Sequence, residues 1–123
     1  MQVFLSEYRG AAGQTAVEVS LNGVAGLSDA GPLRRVLRHL LHDNPKTVLV
    51  NLRRLRDMDR ACWNHLVSMA REVRRKGGRV VLRNCAEPHR AQIAAQHWEG
   101  VFEVPECAVG DAADTGAPGE PRA

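Results

Sequence analysis

The sequence predicts an α/β fold in which a small mixed or mostly parallel sheet of four to five strands packs with three to four helices. Two observations lead to this prediction. After an initial pair of strands, strand-like apolar segments alternate with segments whose apolar residues recur at helical spacing, and the turns between them are short. The length of 123 residues fits one domain with a single buried core.

The first third of the chain is predicted to form two strands and a helix. Residues 2–8 form a short strand followed by a turn at 10–13, and residues 16–21 alternate between apolar and polar side chains, as a half-buried strand does. Ser28 or Asp29 can accept a backbone hydrogen bond and so cap the helix that follows. The apolar stripe of this helix consists of Leu33, Val36, Leu37, Leu40 and Leu41.

The middle of the chain is predicted to hold the central strand and the longest helix. Residues 47–52 are almost continuously apolar, which is typical of a strand inside a sheet covered by helices. A charged turn at 53–58 leads to Asp59, which is positioned to cap a helix, and Gly77 and Gly78 end that helix. Its apolar stripe consists of Cys62, Leu66, Met69, Ala70 and Val73.

The last predicted elements are a strand at 79–83, a third helix from Glu87 to about Trp98, and an edge strand at 101–104. Together with the preceding elements they form one domain that ends at residue 104.

The remaining segment differs in composition and charge from this domain. Residues 105–123 are rich in Ala, Gly, Pro and acidic residues and can bury too little surface to fold, so we expect this tail to be disordered. The formal net charge of the chain is +3; because the tail holds four acidic residues and one arginine, residues 1–104 carry +6. Nine basic residues lie between Arg53 and Arg79, and a patch of that kind attracts an acidic protein or a phosphate backbone.

Cysteine usage and hydropathy indicate the compartment. Cys62, Cys85 and Cys107 are odd in number and widely spaced, which fits neither a disulfide framework nor a CxxC motif. No apolar run reaches the roughly 20 residues that cross a bilayer, and the first residues lack the basic start of a secretory signal. We therefore expect a cytoplasmic protein without a membrane span. The excess of arginine over lysine suggests a bacterial genome rich in G and C.

One stretch carries a family resemblance. Residues 45–82, PKTVLVNLRRLRDMDRACWNHLVSMAREVRRKGGRVVL, contain an apolar strand, a charged turn, a helix, a double glycine and a second strand. In this order and spacing they resemble the centre of a STAS domain, the family of anti-sigma-factor antagonists, and the resemblance extends over residues 14–104. It implies the STAS fold and a role in transcription regulation through partner switching.

The resemblance also implies a binding surface at the start of the longest helix. In the family the turn into this helix typically reads Asp-Ser-Ser-Gly-Leu, and a kinase phosphorylates the second serine to end partner binding. Residues 59–63 read Asp-Arg-Ala-Cys-Trp instead, so the phosphorylation-equivalent position, Ala61, has no hydroxyl. The neighbouring loop at 23–26 reads Gly-Val-Ala-Gly where the family commonly has Gly-Glu-Leu-Asp. The residues expected to contact a partner are Ser28, Asp29, Arg56, Asp59, Arg60, Trp63 and Asn64.

Three of these positions have alternative interpretations. Ala61 belongs either to a constitutively active binder or to a loop that has lost its role. Trp63 replaces an inward-packing aliphatic residue, and burial is favoured over an exposed anchor for a partner. Cys62 is a candidate redox thiol because the helix dipole and Arg60 would lower its pKa. A small buried apolar side chain is nevertheless the favoured interpretation of Cys62.

Enzyme activity is not expected from this sequence. The histidines do not form a metal-ligand spacing such as HExxH, no nucleophile motif is present, and the glycines form neither a GxGxxG nor a P-loop pattern. We therefore predict no catalytic residue, no metal and no cofactor.

The leading hypothesis is a regulatory protein that binds an anti-sigma factor of the kinase-like type, or another regulatory protein, and is not switched by serine phosphorylation at the usual site. The alternative is a structural subunit that forms a homodimer or assembles into a transporter-like or stressosome-like complex. Nucleic-acid binding is disfavoured, because Arg71, Arg74 and Arg75 lie on the polar face of an amphipathic helix and aromatic residues for base stacking are scarce.

Overall fold

The computed structural model describes residues 1–9 and 15–105. Five strands, three α-helices and one 3₁₀ turn follow each other along this part of the chain. In chain order they are β1 (Gln2–Arg9), β2 (Thr15–Ala25), the 3₁₀ turn (Leu27–Asp29), α1 (Ala30–Leu41), β3 (Thr47–Asn51), β4 (Leu55–Met58), α2 (Arg60–Arg75), β5 (Arg79–Arg83) and α3 (Glu87–Ala95).

The strands form one mixed sheet in the order β1-β2-β3-β5, and β4 pairs with the end of β2. The β1–β2 pair is antiparallel, and the other pairs are parallel. A parallel pair needs a crossover, and α1 and α2 supply the crossovers between β2, β3 and β5. The predicted α/β class, with a mostly parallel sheet and helices packed on it, is therefore confirmed.

The core lies between the sheet and its helices. The alternating residues of the sheet that face the helices are almost completely inaccessible to solvent, as are the stripe of α2 and Leu33, Leu37 and Leu40 of α1. Val36 and Leu41, the other members of the predicted α1 stripe, are only partly buried. Fully buried side chains from these layers include Val19, Leu21, Leu33, Val48, Val50, Leu66, Ala70 and Val80. The opposite side chains of β2 and β3 are only partly buried, and there Glu18 accepts hydrogen bonds from the Tyr8 hydroxyl (3.0 Å) and the Asn51 amide (3.2 Å).

Three segments differ from their sequence prediction. Part of the predicted turn at 53–58 is strand β4, in which Leu55 and Met58 are buried. The segment is joined to β2 by a hydrogen bond from the Gly23 amide to the Arg54 carbonyl, 2.8 Å. The third helix ends at Ala95, before His97, whose positive φ of 60° ends helical geometry. The predicted edge strand at 101–104 is reduced to a single parallel bridge between Glu103 and Val81.

Other predictions fall on residues outside the described range. These are the whole turn at 10–13 and nearly all of the tail at 105–123, of which the structure describes only Pro105. Among the helices within the described range, none combines the length and apolar character that crossing a membrane requires.

Candidate partner-binding site

Two loops meet at one end of the sheet and form the surface that we call the docking corner, made of residues 24–29 and 56–64. Backbone and side-chain contacts join the two halves. The Asp59 amide donates to the Ala25 carbonyl (2.7 Å), and the Cys62 thiol donates to the Gly26 carbonyl (3.4 Å). The end of β2 and the start of α2 are therefore fixed against each other.

Asp59 caps α2, as the sequence predicts. Its backbone is extended, and its Oδ2 accepts a hydrogen bond from the Ala61 amide at 3.0 Å. Its backbone carbonyl also accepts from the Trp63 amide at 3.0 Å. The carboxylate thus satisfies one of the free amides of the first turn and places a negative charge at the positive end of the helix dipole.

Asp29 holds the other half of the corner together. Its Oδ2 accepts a hydrogen bond from the Gly26 amide at 2.8 Å, and its Oδ1 lies 3.8 Å from the amino group of Met1. Asp29 occupies the N-cap position of α1 but makes no side-chain capping bond to that helix, so its carboxylate closes the 3₁₀ turn instead. Ser28, in the same turn, is exposed.

The outer surface of the corner is polar on the α2 side. Arg56, Asp59, Arg60 and Asn64 are all exposed. The Arg60 guanidinium donates to Gln96 Oε1 at 3.1 Å, which links the start of α2 to the residue that ends α3. Ala61 is partly buried, packs against the core, and has a methyl group rather than a hydroxyl. Of the residues predicted to contact a partner, all except Trp63 have accessible surface here.

Trp63 lies beneath the corner and not on it. Its side chain is 0% exposed, and its ring packs against His89, Trp98 and Phe102 at centroid distances of 6.1, 5.8 and 6.5 Å. Burial, the favoured interpretation of this residue, is therefore confirmed. The assignment of Trp63 as a partner contact is corrected, because a fully enclosed ring presents no surface to another protein.

Cys62 is buried as well, which opposes the redox interpretation. Its side chain is 0% exposed. Burial raises the pKa of the Cys62 thiol, and the negative charges of Asp29 and Asp59 raise this pKa further. The expectation that the helix dipole and Arg60 lower this pKa is therefore wrong. A buried, protonated thiol in the core stripe is a packing residue rather than a reactive one.

Two apolar residues of the corner were missed by sequence reasoning. Leu27 is 71% exposed, and Val24 is 48% exposed. Val24 pairs in register with Asp57 of β4, so it borders the Arg56 side of the corner. The sequence does contain a signal for Leu27. This leucine lies between Gly26 and the polar pair that precedes α1, outside any apolar stripe of a helix or strand. Two exposed apolar residues beside the polar start of α2 fit the layout of an interaction surface, an apolar centre with a polar rim.

The described residues offer no metal site. Within residues 1–9 and 15–105, no group of three or more His, Cys, Asp or Glu side chains is placed to hold an ion.

The fold is that of anti-sigma-factor antagonists. The chain is similar to the anti-sigma-factor antagonist SpoIIAA in its unphosphorylated form, with 17% identity and a TM-score of 0.64 over 84% of this chain and 88% of that one. An anti-sigma factor antagonist from Mycobacterium paratuberculosis gives 16% identity and a TM-score of 0.64, covering 88% and 90%. The phosphorylated form of the Bacillus cell fate determinant SpoIIAA gives 17% identity and a TM-score of 0.62, covering 82% and 92%.

The family follows from the sequence itself. Residues 10–103 match the family model described as "Mlab, STAS domain", which covers more than half of the chain. The chain therefore belongs to the STAS domain family. A comparison with curated proteins gave no match.

Proposed function

We propose that this chain is a non-enzymatic regulatory module that binds another protein through the docking corner, in the manner of an anti-sigma-factor antagonist of a bacterial cytoplasm. The observation that carries the proposal is the composition of the corner surface. Leu27 is the most exposed large apolar side chain in the described residues, and it stands beside the exposed, charged start of α2. An apolar centre with a polar rim is the usual layout of a protein interface.

We propose further that phosphoryl transfer at residue 61 does not control this binding. In a chain with serine at that position, a phosphate adds nearly two negative charges to the helix start. Ala61 has no acceptor atom, and the adjacent Arg60 gives the surface a cation instead. The proposed partner therefore presents acidic groups opposite Arg60, and an ATP-dependent kinase activity in that partner leaves the affinity unchanged.

Affinity capture from the native host tests the binding surface. The immobilised full chain is compared with Arg60→Glu and with Arg71→Glu, a matched charge reversal on the exposed side of the same helix, outside the corner. We expect the wild-type chain and Arg71→Glu to retain one stoichiometric partner, identified by mass spectrometry, and Arg60→Glu to lose it. Equal recovery by all three chains, or equal loss from both variants, would show that the partner binds elsewhere.

The phosphorylation proposal is tested on the captured pair. Adding ATP and magnesium to the purified complex should leave its dissociation constant unchanged, and the Ala61→Glu variant should bind more weakly because it restores the missing negative charge. An ATP-dependent loss of affinity in the wild-type complex would contradict the proposal.

A second candidate function, assembly into a larger complex or a homodimer, is supported by strand β1. This strand lies at the edge of the sheet and carries three exposed apolar side chains, Phe4 (54%), Leu5 (43%) and Tyr8 (49%). An open apolar edge can pair with a strand of another chain. Capture of a larger multi-subunit assembly, insensitive to Arg60→Glu, would favour this function over the first.

A further inference from the structure

A groove runs between α1 and α2, away from the docking corner. It encloses about 580 Å³, and Leu37, Leu41 and Met69 contribute its apolar lining. A second hollow of about 290 Å³ shares Leu41 and Lys76 with it and continues to Lys46. Lys76 Nζ donates to Asn44 Oδ1 at 3.0 Å, so the ends of the two helices are linked where the hollows meet.

The walls of this groove are basic. Arg34, Arg38 and Lys76 line the larger hollow with Glu72, and Lys46 lines the smaller. Glu72 is already engaged in ion pairs with Arg75 and with Lys76, the latter at 3.7 Å. Among residues 1–9 and 15–105, no ion pair involves Arg34, Arg38 or Lys46. The groove therefore combines an apolar floor with three cations, Arg34, Arg38 and Lys46, that form no ion pair with another described residue.

The same chain contains a segment of complementary character. Residues 106–123 hold four acidic residues and one arginine, with Val109 and several alanines between the acids. The remainder of the chain is strongly positive. We propose that residues 106–123 bind in the groove between α1 and α2, with their carboxylates at Arg34, Arg38 and Lys46.

Covalent connection makes this contact feasible even if each ion pair is weak. A segment tethered to its binding surface acts at an effective concentration on the order of millimolar, so contacts too weak to hold a separate peptide can still keep the segment in the groove for part of the time. Eighteen residues span up to roughly 60 Å when extended, and a domain of about 100 residues has a radius of gyration of about 13 Å. The groove is therefore within reach of Pro105.

The other arginine-lined hollow is a weaker candidate. Arg53 and Arg54 border a hollow of about 260 Å³ with Phe4, Ser20, Asn22 and Asn51. It has two cations, compared with the three unpaired cations of the groove, and Asn51, which forms part of it, is hydrogen-bonded to the carboxylate of Glu18. This hollow provides a matched control for the effect of charge alone.

The experiment uses the full chain with a nitroxide label on Cys107, which is possible because Cys62 and Cys85 are buried. Paramagnetic broadening of backbone amide signals is measured in the ¹⁵N-labelled protein against the reduced, diamagnetic label. We expect amides of 34–41 and 65–76 to lose most of their intensity, and amides of the edge strand β1 to lose less. Salt at about 1 M, where the Debye length falls to about 3 Å, should restore the lost signals.

Paired charge reversals identify the contact. The double variant Arg34→Glu/Arg38→Glu should abolish the broadening, and the control Arg53→Glu/Arg54→Glu should retain it. All four arginines are exposed, and the amide spectrum of each variant verifies that the fold is kept.

Three results would overturn the proposal. The first is a groove whose signals are unaffected by the label in the wild-type chain. The second is broadening that survives Arg34→Glu/Arg38→Glu. The third concerns a mixture of an unlabelled ¹⁵N chain with a nitroxide-labelled ¹⁴N chain. If the ¹⁵N signals are broadened there as strongly as in the labelled ¹⁵N chain alone, the segment in the groove comes from a second copy. Failure of partner capture at the docking corner leaves these measurements unaffected, so the two proposals are tested separately.

Discussion

At the scale of single residues, one carboxylate fixes the start of α2. Asp59 accepts the Ala61 amide through its side chain, and without it that amide of the first turn has no partner within the described protein. We predict that Asp59→Ala lowers the free energy of unfolding by about 1 kcal/mol, whereas Asp59→Asn, which can also accept the bond, stays within a few tenths. Urea denaturation of both variants measures the difference. Equal losses from Ala and Asn would show that the charge, and not the capping bond, stabilises the helix.

A second residue-scale prediction concerns pH. His89 is buried next to Trp63, and its Nδ1 has no hydrogen-bond partner in the described residues. Burial lowers the pKa of His89 below its ordinary value of 6.5, although the Asp57 charge partly opposes this. As the pH falls through about 6.5, the unfolded chain therefore takes up a proton before the folded chain does, and the protein loses stability.

Denaturation midpoints at pH 7.5 and pH 5.5 measure this effect. The wild-type chain should be less stable at the lower pH, and His89→Gln should remove most of the difference. The control His42→Gln, at an exposed position, should keep it. A pH dependence that is unchanged in His89→Gln would assign the effect to other groups.

At the scale of elements, the turn from α2 to β5 requires a glycine for steric reasons. A Cβ at Gly78 would lie 2.7 Å from Val73 Cγ1 and 2.8 Å from the Lys46 carbonyl oxygen. The backbone oxygen has little room to move, because it accepts the Arg79 amide at 2.9 Å at the point where β5 begins beside β3. Gly78→Ala should therefore destabilise the protein by about 1–3 kcal/mol.

The matched control is Gly100→Ala, where an added Cβ would meet nothing within 4 Å. That variant should stay within about 0.5 kcal/mol of the wild type in thermal and urea unfolding. A similar cost at both positions would show that the close approach at Gly78 does not determine the effect.

The same scale shows which elements could be predicted from the sequence. In long amphipathic helices and apolar strands many residues repeat one pattern. For that reason the positions of α1, β3, α2 and β5 were predicted correctly. Strand β4 has only four residues, two of them charged, and forms because it continues the pairing of β2. Residues 101–104 have a strand-like composition but pair with β5 at one position only. Strand formation depends more on the contacts a segment makes than on its intrinsic propensity.

At the scale of the whole molecule, the sequence predicted where the candidate site lies better than which side chains form it. The order of strand, turn and helix predicted a surface at the start of the longest helix, and the structure brings the residues of that surface together. Burial then distinguished Trp63 from the exposed residues beside it. A ring in the first turn of α2 points either outward or into the cluster with Trp98 and Phe102, and only the position of the segment after α3 decides between the two. The role of Leu27 could be inferred only from the opposite finding, that no element within residues 1–9 and 15–105 covers it.

The two candidate functions depend on different exposed surfaces, which allows a direct comparison. Leu27→Asp removes the apolar centre of the docking corner, and Leu5→Lys places a charge on the open edge of β1. Both side chains are exposed, so both variants should unfold within about 0.5 kcal/mol of the wild type. If the chain is a regulator that binds through the corner, Leu27→Asp loses the captured partner and Leu5→Lys retains it. If the chain assembles through β1, light scattering detects a complex that Leu5→Lys dissociates and Leu27→Asp leaves intact.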